Sequence, residues 1–261
     1  MRTITATRYV TPLREGGSLP AIIEAEDSGL YVLKFRGAGQ GTKALVAEII
    51  SGELARALGL RVPELVLVEL DPVLGRAEPD GEIRDLLKAS AGINLGMDYL
   101  PGSMTFDPMV GPAPRGAEAS AIVCFDAYVT NVDRTPKNPN LLSWHKDLWL
   151  IDHGASLYFH HAWDDYLERS QSRFPAIKDH VLLPWASELP EAEAHLRQRV
   201  TADVIQRVLE CVPDAWLGAA TEPRFTTAAE HRAAYTAYLH KRLEAVPAFI
   251  EEAQRARAQL V

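Results

Sequence analysis

The sequence predicts an α+β chain in two parts, a β-rich part over residues 1–100 and a mainly helical part over residues 101–261. Three observations carry that reading. The early chain holds short runs rich in β-branched and aromatic residues, bounded by turn residues. From Ala117 onward the apolar spacing is mostly that of helices. Between them a strand-like run enters Pro101-Gly102, a breaker pair suited to a crossover between two packed units.

In order, Thr3 to Thr11 reads as a strand, Leu13 to Leu19 as a glycine-containing turn, and Ala21 to Ala25 as a second strand. Glu26-Asp27-Ser28-Gly29 is a hairpin turn leading into Leu30 to Phe35, so the first three strands form an antiparallel meander. A helix is expected from about Lys43 to Leu58, with Leu45, Ile49, Ile50, Leu54 and Leu58 on its apolar positions and Gly59 as C-cap. Glu64 to Leu70 is a strand, Asp71 to Asp80 a loop, and Gly92 to Leu100 a strand that closes the sheet. The second part offers helices over Ala119–Thr130, Glu191–Val212 and Thr226–Ala256, the last interrupted by Pro247. That last stretch is amphipathic with mixed charges and reads as a scaffold.

Composition narrows the function classes. The 27 Lys and Arg against 35 Asp and Glu give a net charge of −8, which argues against a nucleic-acid coat or a polybasic membrane anchor. Cys124 and Cys211 cannot build a disulfide framework and lack the spacing of a metal site. No run of 18 apolar residues and no signal-peptide core are present, so a cytoplasmic protein is expected.

Chemistry concentrates in Asn131 to Gly154, NVDRTPKNPNLLSWHKDLWLIDHG. Leu141–Trp144 and Leu148–Ile151 are apolar runs flanking His145-Lys146-Asp147. A three-residue turn there places Leu141 opposite Ile151 and Asn140 opposite Asp152. Asn138 then lies near Asp152, and Asp133 stands earlier on the same loop. Oxygen donors of this kind suit Mg²⁺, with Asn138 and Asp152 as ligands. Asp133, five residues before Asn138, is placed to accept a proton from an attacking hydroxyl. D-x-x-x-x-N, a hairpin, then D-x-G is an arrangement used for phosphoryl transfer. The same residue types populate any tight loop, and Asp152-His153-Gly154 also reads as a plain strand end.

The first part adds weight. Lys34 stands between Leu33 and Phe35 in an apolar strand and needs a partner or a route to water. Glu48, on the following helix between Ala47 and Ile49, is its candidate partner, with Glu53 competing. A strand lysine paired to a helix glutamate positions ATP phosphates in kinase-type lobes.

With these motifs in order, the chain resembles the HipA-like kinases. Asp133-Arg134-Thr135-Pro136-Lys137-Asn138 is similar to their catalytic loop, which also looks like the D-R-x-x-x-N pattern of phosphoinositide kinases. AEIISGELARALGLRVPE, Ala47 to Glu64, resembles their helix, and the likeness to the short HipA-like kinase domain extends from about Ala6 to Leu183. The resemblance implies a bilobal protein-kinase-like fold binding ATP and Mg²⁺. It implies Lys34 on phosphate, Glu48 holding Lys34, Asp133 as base, and Asn138 and Asp152 on metal. Gly17 and Ser18 in the first turn join the nucleotide site, and Met97, Asp98, Tyr99 and Leu100 form a hinge whose backbone faces adenine. Departures exist: Asn131-Val132 precedes the aspartate, and Asp152-His153-Gly154 lacks the phenylalanine of D-F-G. The self-inhibitory serine of HipA has no matching motif here, and Ser18 in REGGSLP is a candidate for it.

The expected function is an ATP- and Mg²⁺-dependent phosphotransferase acting on protein Ser or Thr hydroxyls, with no nucleic-acid or membrane partner. A lipid or small-molecule kinase, a self-modifying kinase and a nucleotide-binding regulatory module without turnover stay open. Other features have two readings each. Arg134 and Lys137 either stabilise charge on the transferred phosphoryl or make salt bridges. Gly37, Gly39 and Gly41 with Lys34, Arg36 and Lys43 offer an anion-friendly loop, although the phosphate-loop pattern G-x-x-x-x-G-K-[ST] is not met. His153, His160 and His161 lack zinc spacing and read as residues of a polar cleft wall. Trp144, Trp149 and Trp163 read as packing aromatics.

Overall fold

In the computed structural model, residues 1–13, 19–39, 41–76, 78–110 and 113–260 are described. The chain forms two compact units, Met1–Val46 with Pro63–Gly102, and Ala47–Val62 with Ser103–Val261. The later break falls beside Pro101-Gly102. Residues 47–62, placed by sequence with the first part, group with the second. Local bonds give the reason: His195 Nε2 donates to the Leu58 carbonyl at 3.0 Å, and the Leu150 N–H to the Arg61 carbonyl at 2.8 Å.

The first unit is a closed five-stranded barrel in the order β1 (Thr3–Pro12), β2 (Ala21–Ala25), β3 (Leu30–Lys34), β5, β4. Helix α1 (Gly41–Ala57) follows β3, and β4 (Leu65–Leu70), helix α2 (Gly81–Ala89) and β5 (Gly92–Asp98) come after it. The three-strand meander is antiparallel as expected, but β1 and β4 close the barrel in parallel, with Ile4 opposite Val68. The helical crossover explains this: β3 runs with β1, and a strand delivered by a helix runs with the strand before it. Alternate residues Tyr31, Leu33 and Phe35 fill the interior with Ile4, Ile23, Val66 and Val68. Gly96 is required in β5, since a Cβ there would sit 2.7 Å from Val68 Cγ2 and 2.9 Å from Val66 Cγ2.

Sequence reading leaves residues 81–91 unassigned, and they hold α2, started by Asp80 accepting from the Glu82 N–H at 3.0 Å. Ile83 and Leu87 of α2 join the barrel core. Part of the expected loop before it, Pro72–Gly75, is a 3₁₀ turn. Helix α1 ends as expected at Gly59, φ +79°: the Leu60 N–H reaches the Ala55 carbonyl and the Gly59 N–H the Arg56 carbonyl, at 3.0 and 2.9 Å.

The second unit has β6 (Met104–Thr105), helix α3 (Gly116–Val129), β7 (Leu141–Trp144), β8 (Asp147–Leu150) and helices α4 (Tyr166–Arg169), α5 (Leu189–Arg199), α6 (Ala202–Glu210), α7 (Ala228–Glu244) and α8 (Val246–Arg257). Helix α3 is apolar nearly all round, and most of it is buried against α5, α7 and α8. The single helix expected over Glu191–Val212 is two, because Thr201 accepts from the Val204 N–H and starts α6. Pro247 divides α7 from α8 by entering the first turn of α8, and Thr227 with Glu230 closes a capping box on α7.

The hairpin register differs from expectation by one residue. Leu141 pairs with Leu150 and Trp144 with Asp147, so the turn holds only His145 and Lys146. Both have positive φ, 51° and 70°, as a type I′ turn requires, and that turn matches the twist of the flanking strands. Asn140 therefore lies opposite Ile151, accepting its N–H at 3.1 Å, and not opposite Asp152. Neither turn residue is glycine or asparagine, so each carries left-handed strain of about 1 kcal/mol. Lys146→Gly is expected to stabilise the protein by about 1 kcal/mol, read as a higher urea midpoint at unchanged slope.

Candidate active site

The site is built at the C-terminal end of α3. The helix stops at Thr130, φ +54°, and the chain turns through Asn131 to Asn140 into the hairpin. Asn131 anchors the turn: its Oδ1 accepts the Asp133 N–H at 3.1 Å while its Nδ2 donates to Asp126 Oδ1 at 3.0 Å. Thr135 and Asn138 exchange backbone bonds of 3.0 and 3.1 Å, which close the loop between them.

Within this loop the Asp133 carboxylate is half-buried. Asn138 Nδ2 donates to its Oδ2 at 2.7 Å, and Asn140 Nδ2 donates to the same oxygen at 3.2 Å. Oδ1 accepts no hydrogen bond among the described residues. Because Asn138 spends its amide nitrogen on Asp133, its carbonyl oxygen is the end left to face outward. Asp152 follows Ile151, which is bonded to Asn140, and it is exposed at φ +53°, a conformation that a short polar side chain tolerates. Asn138 and Asp152 both offer oxygen to a hard cation. Among the described residues no group of three or more His, Cys, Asp or Glu is placed to hold a metal ion.

Arg134 is corrected. Its side chain is 0% exposed, so it cannot meet a phosphoryl group at the surface. It makes the salt bridge instead: Nε to Asp126 Oδ2 at 2.6 Å and Nη2 to Oδ1 at 3.5 Å. Nη1 donates to the Asn140 and Ile151 carbonyls, and Nη2 to His153 Nδ1 at 3.2 Å. One guanidinium thus ties α3 to both hairpin strands and to the residue after Asp152.

Burial alone would raise the Asp126 carboxyl, but Arg134 and the His180 hydrogen bond hold it well below the usual range. Burial lowers the His180 imidazole against the opposing pull of Asp126. Both folded values are depressed, so both contribute stability that is full above their unfolded values and fades as pH falls. His180 acts first, below about 6.5, and Asp126 below about 3.9. Stability is expected to fall as pH drops through 6.5, with a limiting slope of about 1.4 kcal/mol per pH unit further below. Urea titrations at pH 7 and 5 should show this loss in the wild type and a smaller one in His180→Gln.

Asp126, Asn131, Asn140 and His180 were missed as site residues. The only signal was Asp126, a carboxylate in the otherwise apolar run from Ala121 to Val129 of α3. His153 and His160 are buried, not in a cleft wall, and His160 Nδ1 lies 2.9 Å from the Tyr235 hydroxyl in an aromatic core with Phe159, Trp163 and Tyr238. Trp163 packs there as expected, while Trp144 and Trp149 meet edge to face at 5.2 Å on the hairpin.

In the first unit Lys34 pairs with Leu95 across the β3–β5 ladder, on the face opposite Leu33 and Phe35. Glu48, which belongs to the second unit, is fully buried in α1. Gly17 and Ser18 lie outside the described residues. At the expected hinge, Met97 sits in the ladder between Val32 and Leu65, and the Asp98 and Tyr99 N–H groups bond the Glu64 and Leu30 carbonyls at 2.9 and 3.0 Å. The expectation that this backbone faces adenine therefore loses both of those donors to the sheet. Leu100 is buried, and burial beside Glu64 raises the Asp98 carboxyl.

A family model described as HipA-like kinase matches residues 7–245. The chain belongs to the HipA-like kinase family. No curated protein matches it. Among solved structures, this HipA-like kinase is similar to the Helicobacter pylori proinflammatory kinase CtkA, with TM-score 0.57 and 13% identity over 93% of this chain and 95% of that one. It is also similar to the Golgi casein kinase with Mn/ADP bound, with TM-score 0.54 and 11% identity over 100% of this chain and 76% of that one. A second Golgi casein kinase structure gives 0.53 and 12% over 98% and 76%. At these identities the likeness shows the fold, a protein-kinase-like one with a β-rich N-terminal region and a mainly helical remainder. The HipA-like kinase is accordingly a phosphotransferase. No helix among its described residues is long and apolar enough to cross a membrane.

Proposed function

We propose that this kinase transfers the γ-phosphoryl group of ATP to a serine or threonine hydroxyl of a protein, with Asp133 as the base. The observation that carries the reading is the asymmetric clamp on Asp133. Two amides hold Oδ2, and Oδ1 is left as the acceptor for a hydroxyl proton. The hydroxyl oxygen bonds to the γ-phosphorus as the bond to the ADP oxygen breaks, and the proton passes to Asp133. Bound Mg²⁺, held by Asn138 and Asp152, would neutralise phosphate charge. Lys34 would meet the phosphates, supported by Glu48, and Met97 to Leu100 would border the adenine with the backbone groups that the sheet leaves. The Mn/ADP bound to the structurally similar Golgi casein kinase accords with a divalent cation and a nucleotide. A net charge of −8 disfavours an anionic lipid surface and supports a protein acceptor.

Incubation with γ-labelled ATP and Mg²⁺, alone and with cell extract, tests this. A labelled foreign protein is expected. Label on the chain itself alone would replace the reading with self-modification, label in the lipid fraction would replace the acceptor, and no label would leave a nucleotide-binding module.

A further inference from the structure

Three consecutive residues, His180, Val181 and Leu182, are linked by hydrogen bonds to α3 and to the loop that follows it: His180 to Asp126, Val181 to Arg134, and Leu182 to the His180 ring. The Leu182 N–H donates to His180 Nδ1 at 3.0 Å, so Nδ1 is an acceptor and the ring proton resides on Nε2. Nε2 then donates to Asp126 Oδ2 at 2.9 Å. That oxygen also receives Arg134 Nε, and Asp126 Oδ1 receives Asn131 Nδ2 at 3.0 Å. Asn131 in turn holds the Asp133 N–H, while the Val181 N–H reaches the Arg134 carbonyl at 3.0 Å. The chain of bonds runs from Leu182 through His180, Asp126 and Asn131 to the main chain of Asp133. His180, Asp126, Asn131 and Arg134 are all buried, so water cannot replace a missing donor at little cost.

We infer that His180 is a positioning residue for the transfer reaction, setting the orientation of Asp133 through the Asp126–Asn131 relay. The charged groups facing its ring are Asp126 of α3 and Arg134 of the loop. His180 touches neither substrate nor Asp133, and its contribution is the fixed direction of one N–H. The inference rests on Asp133 being the base only where turnover is concerned. The ordering of the loop is a separate consequence.

Two amides separate the two ring nitrogens. His180→Asn keeps an acceptor near the Nδ1 position for Leu182 and loses the donor to Asp126. His180→Gln keeps a donor near Nε2. Hydrogen exchange of peptides covering residues 131–140 is measured alongside peptides of α7 and α8, together with kcat and KM for ATP in the labelled-transfer assay. In His180→Asn, loop exchange is expected to rise at least about tenfold with α7 and α8 unchanged. Its kcat should fall about ten- to hundredfold with KM within about twofold. His180→Gln should recover most of both. Unaltered loop exchange in His180→Asn, or a Gln variant no better than the Asn variant, overturns the proposal. So does uniform acceleration across the whole unit, or loss of fold in both variants, since His180 would then be a residue of general stability. If the wild type transfers no phosphate, the phosphotransfer reading fails by itself, and the exchange data still decide the role of His180.

Discussion

Asp133→Asn is expected to lower kcat by about a hundredfold or more while leaving KM for ATP within a few-fold. The substituted amide still presents an oxygen to Asn138 and Asn140, so the loop keeps its shape. What is lost is the carboxylate oxygen proposed to take the hydroxyl proton, and the negative charge that would orient it. Asp152→Asn should behave differently. Its carboxylate is proposed to hold the cation, so the nucleotide–Mg²⁺ complex should bind much more weakly and turnover should fall with it. Titration calorimetry with ATP plus Mg²⁺ and steady-state transfer of label separate the two. Undiminished transfer in Asp133→Asn would remove the base assignment, and unchanged nucleotide binding in Asp152→Asn would remove the ligand assignment.

The second large effect is on stability. Arg134→Met is expected to destabilise the protein by about 3–5 kcal/mol, because it strands the Asp126 carboxylate with no cation in a fully buried site. Three acceptors, the Asn140 and Ile151 carbonyls and His153 Nδ1, lose the Arg134 donor at the same time, although the Asn140 carbonyl keeps the Ile151 N–H. The double variant Asp126→Asn with Arg134→Met should be more stable than Arg134→Met alone, since the uncompensated charge is gone. Urea unfolding of the four proteins in this cycle measures the coupling. A double variant less stable than Arg134→Met would mean that the packing of the guanidinium, and not its charge, is what matters.

Much of the architecture was legible because it rests on local signals. Turn residues delimited β2 and β3, the Gly59 cap marked the end of α1, and Pro101-Gly102 marked a break. The closeness of Asp133 and Asn138 was legible for a similar reason, since both lie on one short loop, where Asn138 Nδ2 donates to Asp133. Arg134 was not, because an arginine in a loop carries no mark of whether it points outward or inward. That depends on Asp126, which lies one helix turn before the loop and gains meaning only once α3 is known to be buried. The hairpin slipped by one residue because His145 and Lys146 give no hint of left-handed backbone, so Asp147 was counted in the turn. Helix α2 escaped because its apolar face is just Ile83, Leu86 and Leu87, and the barrel supplies the rest of its stability.

Arg242 shows what the closure of α3 requires. It is buried, its Nη2 donates to the Ala127 carbonyl at 2.7 Å and its Nη1 to the Ser170 carbonyl at 2.8 Å, with the Phe249 ring 4.3 Å away. Nε reaches Tyr128, a partner 114 residues earlier. During synthesis the last turn of α3, and with it the stretch that carries Asp133, leaves the ribosome long before its closing side chain does. Those carbonyls must stay hydrated or transiently bonded until residue 242 emerges. Nascent chains halted before α7 should therefore lack a settled end to α3, and the turn that follows it is expected to order only late in translation.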